Sequence, residues 1–98
     1  LTGTDSNWDL TGNPGIDPLI HFVGTISDAD LIFKRNNLLS GLLQPLNTAF
    51  GVNAFNQTAT GTNNTAFGAQ ALQSTSSGAN NTAVGFQSLL NVNTGGRN

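Results

Sequence analysis

The hydrophobic and polar positions of this chain fall into two regimes that meet near residue 47. From there the pattern repeats every seventeen residues without a slip, as NTAFGVNAFNQTATGTN (47–63), NTAFGAQALQSTSSGAN (64–80) and NTAVGFQSLLNVNTGGR (81–97), and Asn98 opens a fourth copy. A strict period sorts residues into columns. The polar column is Asn47/Asn64/Asn81/Asn98, followed by Thr48/Thr65/Thr82 and the small column Ala49/Ala66/Ala83. The large hydrophobic columns are Phe50/Phe67/Val84 and Phe55/Leu72/Leu89, and glycine recurs at Gly51/Gly68/Gly85 and Gly61/Gly78/Gly95.

Seventeen residues hold either a helix with a turn or two short strands with two turns. Glycine twice per unit, among Asn, Thr and Ser, is poor helix material. Read with a period of two, Asn47-Thr48-Ala49-Phe50-Gly51 places Thr48 and Phe50 on one face and Asn47, Ala49 and Gly51 on the other. This predicts a short strand with a large-residue face and a small-residue face. The glycine columns are expected at turns, where a positive φ suits glycine, with Ala59-Thr60-Gly61 read as a turn or the close of a second strand. Stacked at the roughly 4.8 Å spacing of paired strands, equivalent residues lie above one another. The Asn column then reads either as an amide ladder or as a run of turn asparagines.

A thin stack takes Ala49 and Gly51 inside more easily than Phe50. The large face is therefore expected to point outward, with Phe50, Phe67 and Val84 joined by Phe55, Leu72 and Leu89 in an apolar stripe. Burial of that stripe against copies of the same chain is the simplest way to cover it. The alternative is a monomeric solenoid with the phenylalanine column inside.

Residues 1–37 have a different texture. Short β-type runs at Trp8-Asp9-Leu10, at His21-Phe22-Val23-Gly24-Thr25-Ile26 and at Leu31-Ile32-Phe33-Lys34 are separated by Pro14-Gly15 and Asp17-Pro18, which predicts a small β-meander or β-prism module. Residues 38–46 read as a connector whose leucines (38, 39, 42, 43 and 46) recur at helix-like spacing, with Gly41 and Pro45 limiting any helix to a turn or two. A packed position at an oligomer axis suits so apolar a stretch. The expected fold is all-β: this module, the connector, and a parallel β-roll over residues 47–98.

Composition narrows the partners. Charged residues are 8% of the 98 residues and the net charge is −2; all but Arg97 lie in the first 35 positions. Without a basic cluster the electrostatic attraction that dominates nucleic-acid affinity is missing, so nucleic acid is not expected as a partner. No apolar stretch approaches the ~20 residues of a membrane span. With no Cys, disulfides and thiolate metal sites are excluded.

The units NTAFGVNAF, NTAFGAQAL and NTAVGFQSL resemble the head repeats of trimeric autotransporter adhesins, whose strands form parallel β-rolls in a trimer. The leading block, with WDLTGN, HFVGT and DLIFKRNN in that order, is similar to a module that precedes such repeats in secreted surface proteins of Bacteroidetes and in bacteriophage tail fibres. The resemblance implies a homotrimer, a structural and adhesive role, an extracellular place on a bacterial cell surface or a virion tail fibre, and a host-surface or glycan receptor. A carbohydrate-binding module gripping glycans through its aromatic residues is the alternative.

Catalysis is not expected, and neither is a cofactor or a metal. His21 is the sole histidine and sits in an expected strand without a Cys, a Glu or a second His. Asp5-Ser6-Asn7-Trp8-Asp9 imitates the start of a calcium loop, but Leu10 stands where that loop needs Gly and Ile16 where it needs a bidentate Glu. Trp8 reads as the core of its module, or as a stacking platform for a sugar.

Overall fold

The computed structural model describes residues 7–98. Within that range the chain is all-β without a helix, and its five strands form one mixed sheet in chain order. They are β1 (Leu31–Arg35), β2 (Leu38–Leu43), β3 (Asn47–Phe50), β4 (Asn64–Phe67) and β5 (Thr82–Val84). β1, β2 and β3 pair antiparallel in turn, whereas β3, β4 and β5 pair parallel.

The parallel register is the seventeen-residue period made physical. Asn47 pairs with Asn64, Ala49 with Ala66, Phe50 with Phe67, and Ala66 with Ala83. Pairing continues past the strands: Gln70 N–H donates to the Val52 carbonyl, Leu72 N–H to Ala54, Gln87 N–H to Ala69 and Asn80 N–H to Thr62. Successive units thus bond to one another in register beyond the strands themselves. The corners come from left-handed backbone at repeating positions, with φ of 129° at Gly51, 54° at Asn53 and 62° at Asn63, echoed at 123° for Gly68, 60° for Gln70 and 60° for Asn80. Asparagine and glycine tolerate this region best, which is why they punctuate the unit.

The strands alternate as the period-two reading requires. In β3 and β4 the Asn and Ala positions are buried while Thr and Phe face out. The core consists of Leu42, Ala49, Ala54, Phe55, Ala66, Ala71, Leu72 and Ala83, with Ile32, Leu39, Ala59 and Leu89 packed against it.

Three expectations are corrected before the repeats. Of the three expected runs only Leu31-Ile32-Phe33-Lys34 forms a strand, as β1; residues 7–30 contain none, so the meander does not form among the described residues. Turns take its place: Leu19 N–H donates to Asp17 Oδ1, and the Ile20 and His21 N–H groups donate to the Asp17 carbonyl. Local bonding around Asp17-Pro18 competes with extension, and the outer edge of β1 is left without a partner strand. The leucine stretch, second, is the strand β2 and not a helical turn, because the edges of β1 and β3 both pair with it. The 37/38 division, third, falls at the β1–β2 hairpin turn, where Asn36 and Asn37 take φ of 51° and 58°. The residues on both sides of it belong to one sheet.

The interior is also wider than the small-residue reading allows. Phe55 and Leu72 are 3% and 0% exposed and bridge each other in parallel. Phe55 lies an odd number of positions from the outward Phe50, an offset that in period two already belongs to the inward face, so it is the grouping of the two in one stripe that fails. Phe55 and Leu72 are therefore core residues and not part of the outward stripe, and Leu89 is half-buried against the same cluster.

Candidate functional site

The outward stripe is carried by three parallel strands and extended by the hairpin. Phe50, Phe67 and Val84 are 38%, 56% and 72% exposed, one above another in register. The Phe50 and Phe67 rings stack with centroids 5.9 Å apart and planes inclined by 26°. Phe33 from β1 meets Phe50 at 5.4 Å, so the aromatic run starts before the repeats. Leu43 on β2 is exposed at the same end. Such a continuous file of apolar side chains, on repeat strands that carry no charged residue, marks an interaction surface.

The stripe holds its shape because the other face of the strands is closed by asparagine. Asn47 Oδ1 accepts from the Asn64 N–H at 3.0 Å, and Asn47 Nδ2 donates to the Gly61 carbonyl at 2.9 Å. Asn64 repeats both bonds with the Asn81 N–H and the Gly78 carbonyl, and Asn81 repeats them with the Asn98 N–H and the Gly95 carbonyl. The column is real, but its chemistry differs from a side-chain amide ladder: each amide clips the end of its own unit and receives the main chain of the next. Between members of the column, only Asn98 Nδ2 donates to an amide oxygen, that of Asn81. Among the described residues no buried side-chain nitrogen or oxygen lacks a partner.

Both glycine columns lie where successive units approach, a Cβ on Gly51 meeting the Gly68 carbonyl as one on Gly61 meets that of Gly78, but their backbones differ. Gly51, Gly68 and Gly85 have the expected positive φ, with Gly85 at 118°. Gly61, Gly78 and Gly95 do not, so the positive φ expected of them is corrected. A Cβ on Gly61 would overlap the Gly78 carbonyl oxygen, and one on Gly78 would overlap that of Gly95. These glycines exist so that successive units can approach, which the Asn clips require.

Sequence reasoning missed two residues. Thr75 is fully buried, its Oγ1 donating to the Val92 carbonyl at 2.9 Å. Its column, Thr58/Thr75/Val92, varies in type and so gave no signal. Gln44 ties the hairpin end to the first unit, donating through Nε2 to Asp30 Oδ2 and the Gln57 carbonyl, while its Oε1 accepts from Asn47 Nδ2.

The remaining candidates are not brought together. His21 lies in a turn and not in a strand; its Nδ1 accepts from the Asp17 N–H at 2.9 Å. Trp8 is not a core residue: it is 50% exposed, with its indole N–H donating to the Phe22 carbonyl. Asp5 and Ser6 of the calcium-like run lie outside the described residues, and Asp9 accepts from Asn13 Nδ2. Among the described residues no group of three or more His, Asp or Glu gathers that could hold a metal, and no helix is long and apolar enough to cross a membrane. Compared with protein-family models, curated protein sequences and solved structures, the chain finds no match.

Proposed function

We propose that this chain is a shaft segment of a homotrimeric extracellular fibre, in which units of a parallel β-roll are stacked along the axis and the outward stripe is buried between copies. The observation that carries this reading is the in-register file of Phe50, Phe67 and Val84, left uncovered by the chain's own fold. Each large side chain buried there contributes about 1.5–3 kcal/mol before entropy is counted. A repeat stack can be lengthened without altering its cross-section, which suits a fibre. Threefold presentation along such a shaft turns weak contacts with a host surface or glycan into avidity without a pocket or a reaction. The number three and the adhesive role follow the resemblance of the repeats to trimeric adhesin heads. Sedimentation equilibrium on the purified chain is expected to return three times the chain mass at micromolar concentration; a monomer under those conditions overturns the reading.

A second reading is favoured by one pair. Trp8 and Phe22 are both about half-exposed and joined by the indole bond, an arrangement that suits stacking on a sugar ring. Glycan titration followed by Trp8 fluorescence tests it. Saturable quenching by a monomeric chain would select a carbohydrate-binding module over a fibre.

A further inference from the structure

We infer that the end of the stack formed by β5 and the return of its unit through residues 94–97 is a strand-addition site, which binds an extended segment of the repeat's own kind parallel to β5. Neither the outward stripe nor the number of chains in an assembly enters into it. The two ends of the repeat stack differ. At β3 the hairpin runs along the edge, pairing Leu42 with Ala49 and Leu43 with Thr48. At β5 no further strand pairs among the described residues.

The contacts between the lower units define what the β5 end receives. The Phe50 and Val52 carbonyls accept from the Gly68 and Gln70 N–H groups, and the Phe67 and Ala69 carbonyls from those of Gly85 and Gln87. One unit on, the Val84 and Phe86 carbonyls have no such donor among the described residues. On the return side, Thr60 and Gly61 N–H donate to the Ser76 carbonyl, and Ser77 and Gly78 N–H to that of Asn93, whereas Thr94 and Gly95 N–H find no acceptor among the described residues. Burial falls along the same columns. Gly61 and Gly78 are buried and Gly95 is exposed; Phe55 and Leu72 are buried and Leu89 is half-buried. A Cβ on Gly61 or Gly78 would overlap the carbonyl of the following unit, whereas one on Gly95 would approach only side chains, Asn98 Nδ2 at 3.2 Å and Val92 Cγ1 at 3.4 Å. Gly95 thus keeps a clearance for main chain that its own unit does not use.

Continuity with these contacts selects the occupant. A bound segment must place a small residue over Ala83, an apolar one over Leu89 and a glycine over Gly95; residues 65–80 do so with Ala66, Leu72 and Gly78. Asn98 already holds the first place of such a unit, its N–H donating to Asn81 Oδ1 and its carbonyl accepting from Thr82 N–H. The folded repeats of a second copy do not serve, because β3 and β4 are paired on both edges and another β5 could offer its free edge only antiparallel. The occupant is therefore an unpaired repeat segment, held by main-chain bonds and selected by its inward side chains, as in other strand additions.

The test titrates the full, 15N-labelled chain with an unlabelled synthetic peptide of residues 65–80 and follows the amides by NMR. Saturable shifts are expected at residues 84–87 and 94–97 by about 1 mM peptide, with exchange at Thr94 and Gly95 slowed at least about tenfold. The same peptide in reversed order is expected to leave those amides unchanged. Gly95→Ala sets a methyl group against movable side chains in the free chain, so its melting temperature is expected within about 2 °C of the parent. It is expected to abolish peptide binding, because the methyl occupies the place of the incoming carbonyl. No saturable shift, shifts confined to the outer edge of β1 or to Phe50 and Phe67, equal binding of the reversed peptide, or undiminished binding by a folded Gly95→Ala chain each overturn the inference.

Discussion

Each buried asparagine satisfies two main-chain groups at once, and this makes the Asn column the most sensitive set of positions in the molecule. Asn64→Ala strands the Asn81 N–H and the Gly78 carbonyl in the interior. Leaving buried groups unpaired costs about 1–3 kcal/mol each. Urea unfolding is expected to show a loss of about 2–4 kcal/mol, against less than about 1 kcal/mol for Asn98→Ala, whose side chain makes one bond at an exposed position. Equal costs at the two sites would contradict the clip. At Gly61 the argument is steric: Gly61→Ala drives a methyl group into the Gly78 carbonyl and must push two units apart. Its cost is expected at about 2–3 kcal/mol, with lost amide protection at Thr60 and Gly61, which share the Ser76 carbonyl. Wild-type protection in that variant would show that the close approach is dispensable.

The β1–β2 hairpin acts at the next scale as the lid of the parallel stack. A stack of parallel rungs presents unpaired N–H and C=O groups at each end, and repeat arrays need a different element to close them. Here β2 runs antiparallel along β3, pairing Leu42 with Ala49, and drives the Leu42 side chain fully into the core. Leu42→Ala is expected to cost about 2–5 kcal/mol, with exchange protection lost first across β2 and β3. Leu38→Ala, at a position 46% exposed, is expected to change stability by no more than about 0.5–1 kcal/mol. If both variants melt alike, the hairpin is not a lid. The leucine spacing could be read as helical because Leu38, Leu39, Leu42 and Leu43 fit that period. Only the neighbouring strand edges decide in favour of β2.

For the whole molecule the period is the design rule. Inserting a second copy of residues 64–80 after Asn80 adds one rung that repeats every existing contact. The denaturant midpoint and the m-value are both expected to rise, as nearest-neighbour stacking requires. The same insertion without Ser74 breaks the register and is expected to unfold at lower denaturant than the parent chain; an equal midpoint would refute a strict seventeen-residue rung. Phe67→Asp belongs to this scale too. At 56% exposure the new charge is tolerated by the single chain but not by a buried contact between chains. The oligomer mass is expected to fall to that of one chain with the circular-dichroism spectrum preserved, and an unchanged mass would place the interface elsewhere.

The columns, the strand at the head of each unit and its alternation of faces were legible in the sequence, because a strict period and a period-two pattern are local properties of the chain. The inward Asn and Ala and the outward Phe50 and Phe67 follow from them directly. The corners between Phe50 and Phe55, at Gly51 and Asn53, and between Phe67 and Leu72, at Gly68 and Gln70, depend on backbone angles that residue types permit but do not dictate. The target of each asparagine amide and the reason for Gly61 depend on what lies one rung away, a distance no single unit encodes. Whether Leu38–Leu43 becomes a strand is decided by the edges of β1 and β3 on either side of it, and residues 7–30 close local turns instead. A β-strand is completed by its neighbour, and only the tertiary structure supplies the neighbour.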